Sequence, residues 1–211
     1  MNHASAIVFV VDDDAAFRSA VARMLKASGH AVEVFASASE LLARLRSGPA
    51  PAGCVLADLD MPGINGLELQ TLLAASSHPL PVVFLTGKGD VPSSVRAMRQ
   101  GAEDFLTKLA PREDLLAAIR RALDRDIAES AQRAKLRSLR ELFARLTPRE
   151  HEVLVHVLKG ELNKQIAADL GIDERSVKRH RTSFMAKLGV DSVARLVELA
   201  HSAGCPSLWG L

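Results

Sequence analysis

Ile7-Val8-Phe9-Val10-Val11-Asp12-Asp13-Asp14 decides how the first half of the chain is read. An apolar run rich in β-branched residues continues without a polar break and stops at three carboxylates. A run of this kind is a strand buried on both faces, as in a parallel sheet covered by helices on each side. The pattern recurs downstream. Cys54 to Ala57 stops at Asp58, Pro81 to Leu85 at Thr86, and Asp104 to Thr107 at Lys108, while Val32 to Phe35 supplies a shorter strand. Helical patterns lie between them. Phe17, Ala20, Val21, Met24 and Leu25 keep three- and four-residue spacing and are closed by Gly29. Ser39 opens a helix through Leu45 that Gly48-Pro49 stops, and further helices cover Leu67 to Ala75, Val91 to Arg99 and Glu113 onward. Five βα units predict an α/β, doubly wound, five-stranded parallel sheet. Ligands of such sheets sit beyond the carboxyl ends of the strands, which here carry Asp12, Asp13, Asp58, Thr86 and Lys108.

The remainder of the chain is of another kind. No Pro or Gly interrupts Leu123 to Arg145, an Arg- and Ala-rich stretch that reads as one or two linking helices with too poor a heptad for a coiled coil. From Thr147 the pattern is all helical. Thr147-Pro148-Arg149-Glu150 is a capping box with Pro at the first helical position. Gly160 ends that helix, Asn163 is placed to cap a short helix to Leu170, and Gly171 makes a tight turn. Asp173 caps a longer helix to Leu188, Gly189 ends it, and Asp191 is placed to cap a last helix to about Ala203. Two helices joined by a tight Gly turn are the helix-turn-helix signature. The expected domains are residues 5–125, a linker at 126–145, a helical domain at 146–203 and a tail at 204–211.

Composition fits two packed domains in 211 residues, with a 48% hydrophobic share. No run is long enough to span a bilayer and no basic region precedes the first apolar run, so neither a membrane segment nor a signal peptide is expected. Two distant cysteines, Cys54 and Cys205, form no disulfide framework or metal knuckle and suit a reducing cytoplasm. Net charge is only +2, but Arg175 to Lys187 holds five Lys or Arg and no acid. A local basic face binds phosphates even where the domain total is near neutral.

The strand-end residues form a coherent chemical set. Mg²⁺ takes oxygen ligands, which Asp12, Asp13 and Asp58 supply. Asp58 has the character of a nucleophile toward phosphorus, with Lys108 and the cation neutralising charge on the phosphoryl oxygens and Thr86 bonding one of them. Single acids at strand ends are commonly loop or helix caps, and Asp14 reads as one, capping the next helix. Four matching residues at four strand ends argue for function. Residues 5–125 resemble the receiver domain of two-component response regulators, a flavodoxin-like fold. The resemblance rests on Val10 to Asp14, Asp58-Leu59-Asp60-Met61-Pro62-Gly63 through Leu69, Thr86-Gly87-Lys88-Gly89-Asp90 and Asp104-Phe105-Leu106-Thr107-Lys108, and the wording from Thr86 to Pro92 is similar to the FixJ-like subgroup. It implies that Asp58 accepts phosphate from a sensor histidine kinase, that Asp12 and Asp13 hold Mg²⁺, and that Lys108 contacts the phosphoryl group. Thr86 would move toward that group and Phe105 would swing inward with it, although Phe105 reads equally as core. Asp60 and Lys88 either pair at the pocket mouth or are plain surface charges.

One departure stands out: the family has Pro after the strand-five lysine, and this chain has Leu109-Ala110-Pro111. A Lys–Leu bond is expected trans, with a differently shaped loop and a less well aimed Lys108. Two look-alikes fail. Gly87-Lys88-Gly89 lacks the spacing of a P-loop. Asp58-Leu59-Asp60 lacks the residue that follows the paired aspartates of haloacid dehalogenase-like phosphatases.

On the helix from Glu174 to Leu188, Val177, Phe184 and Leu188 share an inward face with Met185 nearby. Arg175, Lys178, Arg179 and Thr182 fall on another, where they reach phosphates and base edges; without the Gly171 turn such a face would read as merely solvated. His180, Arg181 and Lys187 would add backbone contacts, and Lys164 a phosphate contact at a helix N-terminus. Residues 146–201 resemble the LuxR-type helix-turn-helix domain through Leu146 to Glu150, Asn163-Lys164-Gln165-Ile166-Ala167, Leu170-Gly171-Ile172, Ser176-Val177-Lys178 and Lys187-Leu188-Gly189-Val190. The resemblance implies DNA contact through Lys178, Arg179 and Thr182, dimerisation partly through the last helix, and activation of transcription with RNA polymerase. The expectation is a cytoplasmic, phosphorylation-controlled regulator that homodimerises on double-stranded promoter DNA and is no enzyme beyond its own phosphoryl chemistry. The rival is a phosphorylation-independent DNA-binding or protein-interaction regulator that uses its first domain only to dimerise. The tail with Trp209 fits no part of either pattern.

Overall fold

The computed structural model describes residues 6–47, 52–87 and 91–204. Contacts divide the chain into two units, Met1–Ser130 and Ala131–Leu211.

The first unit is a five-stranded parallel sheet in the order β2-β1-β3-β4-β5, formed by β1 (Ile7–Val11), β2 (Ala31–Phe35), β3 (Gly53–Ala57), β4 (Val82–Thr86) and β5 (Asp104–Thr107). The helices are α1 (Ala15–Ala27), α2 (Ala38–Arg46), α3 (Gly66–Ala74), α4 (Val91–Arg99) and α5 (Arg112–Ala144). Strand order reverses between β1 and β3, which makes their carboxyl ends the ligand-binding crevice of a doubly wound sheet. β1, β3 and β4 are the buried strands, as their unbroken apolar runs predict, and the outer strands are more open. Each face of the sheet carries its own core. Phe9, Leu41, Val55, Leu69 and Phe84 lie under α2 to α4, and Val8, Leu25, Leu56, Ile119 and Leu123 under α1 and α5.

The second unit holds the end of α5 with α6 (Pro148–Leu158), α7 (Asn163–Leu170), α8 (Glu174–Leu188) and α9 (Val193–Ser202). They enclose a core of Phe143, Leu154, Ile166, Val177, Phe184, Leu188 and Leu196. The turn between α7 and α8 passes through Gly171 at φ +62°, a left-handed conformation that a Cβ would strain. The stretch expected as one or two linking helices is continuous with the helix before it, because nothing between Arg112 and Ala144 breaks the ladder.

Three caps differ from expectation by one or two residues. Ser37, and not Ser39, caps α2 by accepting from the Glu40 N–H. Ser192, and not Asp191, caps α9. Leu162 precedes α7, its N–H bonded to Gln165 Oε1 at 2.7 Å, while Asn163 Oδ1 accepts from Arg181 at 2.7 Å. At α2 and α9 the neighbouring serine already reaches the exposed N–H groups of the first turn, whereas at α7 the Asn163 side chain is taken up by Arg181. Asp14, Thr147 and Asp173 cap as expected.

Candidate functional site

The sheet register builds the first site. Val11 pairs with Ala57, so Asp12 and Asp58, the next residues on adjacent strands, emerge side by side. The Asp58 N–H bonds the Val11 carbonyl at 2.9 Å, and the Lys108 N–H bonds the Thr86 carbonyl at 2.7 Å. Asp12, Asp58 and Thr86 are buried while Asp13 faces solvent.

Lys108 spans the two buried carboxylates. Its Nζ lies 2.6 Å from Asp12 Oδ2 and 2.8 Å from Asp58 Oδ2, and 4.4 Å from the centroid of the Phe17 ring. Lys108 thus reaches both carboxylates with Leu109 after it; Leu109 itself is 94% exposed, and no described peptide is cis. The other carboxylate oxygens are held by backbone: Asp12 Oδ1 accepts from the Asp14 N–H at 2.9 Å, Asp58 Oδ1 from the Leu59 N–H at 2.7 Å. Burial lowers the Lys108 ammonium, but its bonds to Asp12 and Asp58 outweigh that and hold its pKa above the ordinary value. Burial also raises Asp12, against the pull of Lys108.

Donor oxygens of Asp12, Asp13 and Asp58 lie within 4.8 Å of one another. Three carboxylates facing one ammonium leave a surplus of negative charge, and an all-oxygen set of this kind fits a hard divalent cation. Thr86 closes β4, and Phe105 sits half-buried on β5 with its ring 6.0 Å from that of Phe84. Two participants carried no sequence signal of their own. Phe17 read only as part of an apolar helix face. Arg18 donates to the Asp12 carbonyl from the same helix. The suggested Asp60–Lys88 pair involves Lys88, which lies outside the described residues, as does Trp209.

The second site is on α8. Val177, Phe184 and Leu188 are buried; Arg175, Lys178, Arg179 and Thr182 are exposed, as is Lys164 at the start of α7. The other basic residues divide. His180 is half-buried. Arg181 is engaged by Asn163, tying α8 to the start of α7. Lys187 Nζ lies 2.7 Å from Glu150 Oε2, and Ser183 donates to Glu150 Oε1 at 2.7 Å, tying α8 to the buried carboxylate of α6. The Lys187 bond, with help from Ser183 and Thr147, holds the Glu150 carboxyl down at about 2.

Comparison with known proteins gives the class to which these two sites belong. The receiver domain of response regulators matches residues 8–120, and the LuxR family of bacterial regulatory proteins matches residues 144–200. The chain belongs to the two-component response regulators, as a transcriptional regulator that joins a receiver domain to a LuxR-type DNA-binding domain. It is 39% identical to nodulation protein W of Bradyrhizobium diazoefficiens, over 94% of this chain and 87% of that protein. It is 40% identical to the transcriptional regulatory protein FixJ of Azorhizobium caulinodans, over 93% of this chain and 92% of that protein. Among solved structures, the response regulator StyR is 43% identical with a TM-score of 0.80, covering 93% of this chain and 98% of that one.

Proposed function

We propose that Asp58 accepts a phosphoryl group from a sensor histidine kinase and that this controls binding to promoter DNA. The observation that carries the reading is the Asp58 carboxylate, buried beside Asp12 with Lys108 Nζ 2.8 Å away. An Asp58 oxygen forms the new bond to phosphorus as the bond from phosphorus to the donor imidazole nitrogen breaks, and the electron pair stays on that nitrogen. Lys108, already charged and held in place, faces the oxygens on which negative charge gathers. Asp12, Asp13 and Asp58 would hold Mg²⁺, which supplies further neutralisation of phosphoryl charge. Thr86 then bonds a phosphoryl oxygen, and Phe105 repacks as Thr86 moves.

The repacked surface favours a homodimer, and two copies of α8 then address two half-sites of double-stranded DNA, activating transcription with RNA polymerase. Arg175, Lys178, Arg179 and Thr182 on α8, with Lys164 on α7, make the contacts. His180, Arg181 and Lys187 border that face, the last two also bracing the domain.

The test is labelling by radioactive acetyl phosphate with and without Mg²⁺, alongside sedimentation velocity with beryllofluoride. Wild-type protein should label only with Mg²⁺ and become a dimer with beryllofluoride, and Asp58→Asn should do neither. Labelling that persists in Asp58→Asn removes the assignment. An unchanged mass in all samples detaches Asp58 from dimerisation and moves the reading to the phosphorylation-independent rival.

A further inference from the structure

A second group of ligating side chains lies within the C-terminal unit. α6 ends in a turn through Gly160, φ +81°, in which the Glu161 N–H donates to the His156 carbonyl at 3.2 Å. The turn brings Glu161 Oε2 to 2.6 Å from His156 Nδ1. Asp169, from the last turn of α7, places Oδ2 3.9 Å from the same nitrogen. All three donor atoms lie within 4.8 Å of one another. Among the described residues, His156 is the only basic group in ion-pair range of either carboxylate. One imidazole, even protonated, leaves one negative charge of the two carboxylates uncompensated. His156 and Glu161 are largely shielded and Asp169 is open to solvent, so the group has a protein side and a water side.

We infer that His156, Glu161 and Asp169 form a binding site for a divalent first-row transition cation, with Zn²⁺ the best match. One imidazole nitrogen and two carboxylate oxygens suit such an ion, whereas Mg²⁺ and Ca²⁺ prefer oxygen alone. Ligands about 2.0–2.2 Å from a tetrahedral ion stand roughly 3.4 Å apart. The His156–Glu161 distance of 2.6 Å must open and the His156–Asp169 distance of 3.9 Å must close, each by less than about 1 Å and within reach of side-chain rotation. A neutral imidazole and two carboxylates balance the charge of the ion, which takes the place of any proton shared between His156 and Glu161. Bound there, it would clamp the turn after α6 to the end of α7, the helix that leads into α8. The site is independent of the phosphoryl chemistry at Asp58.

Calorimetric titration of Zn²⁺ into the untagged full-length protein, near neutral pH and in excess Mg²⁺ to occupy the acidic pocket, tests the assignment. One equivalent should bind saturably. His156→Gln and Glu161→Gln should each weaken that binding at least tenfold, and His201→Gln, on α9, should leave it unchanged. Circular dichroism of each variant verifies the fold, and Glu161→Gln carries the test if His156→Gln does not fold. Absence of saturable binding, or equal affinity in both ligand variants and wild type, overturns the site.

Discussion

Lys108 meets two carboxylates and an aromatic face at once, and each contact constrains the next. The ring of Phe17 gives the ammonium a third wall, worth about 1 kcal/mol for a partly shielded cation. Phe17→Ala should therefore slow labelling by acetyl phosphate roughly fivefold while Asp58 remains the labelled residue, as checked by loss of label in the double variant with Asp58→Asn. Glu150 makes a similar point in the other domain. Its carboxyl is held at about 2 against an ordinary 4.5, chiefly by Lys187. A depressed carboxylate stabilises the fold fully above its unfolded value and loses that contribution as pH falls toward the folded one. Lys187→Met should cost about 1–2 kcal/mol near neutral pH, since Lys187 is itself partly solvated, and should flatten the stability slope between pH 4.5 and about 2. Urea unfolding across that range measures both. Cys54 is buried in the sheet, and desolvation pushes its thiol far up. In a Cys205→Ser background it should react with iodoacetamide only once the receiver unfolds.

Elements carry what single residues cannot. Gly66 opens α3 so close under the site that a Cβ there would lie 2.5 Å from the Asp58 carbonyl and 2.8 Å from the Phe84 ring. Gly66→Ala must displace the backbone that aims Asp58, and should cost about 2 kcal/mol or more in urea unfolding together with most of the labelling. On α8, Lys178→Ala and Arg179→Ala should each weaken DNA binding and reduce the slope of affinity against salt concentration by about one ion, measured by fluorescence anisotropy. The strands and their terminal Asp12, Asp58, Thr86 and Lys108 were legible in the sequence because a strand buried on both faces is written as an unbroken apolar run, and its end is where polarity resumes. The inward face of α8 was legible for the matching reason at helical spacing. Arg18, and the pairing of Glu150 with Lys187, were not, because contacts between separate helices have no fixed spacing in sequence. The caps of α2 and α9 lie a residue or two from the expected serine or aspartate because adjacent polar side chains compete for the same N–H groups and only geometry decides; at α7 the Asn163 side chain bonds Arg181 of another helix instead.

At the scale of the whole molecule, the two units have separate cores and share one continuous helix. α5 gives Leu115, Ile119 and Leu123 to the core on one face of the sheet and Phe143 to the core of the second unit. Independent cores should unfold in two calorimetric transitions, and beryllofluoride with Mg²⁺ should raise only the transition of the receiver. Inserting Gly-Gly after Arg133 interrupts α5 between the two groups of core residues. Both transitions should persist in that variant, while the gain in DNA affinity on phosphorylation should shrink. Asp126, buried near the middle of α5, accepts the Gly53 N–H at the start of β3 at 2.8 Å. The first N–H of the central strand therefore finds its acceptor 73 residues later in the chain, so that bond closes only after translation has delivered the helix that leads into the DNA-binding domain.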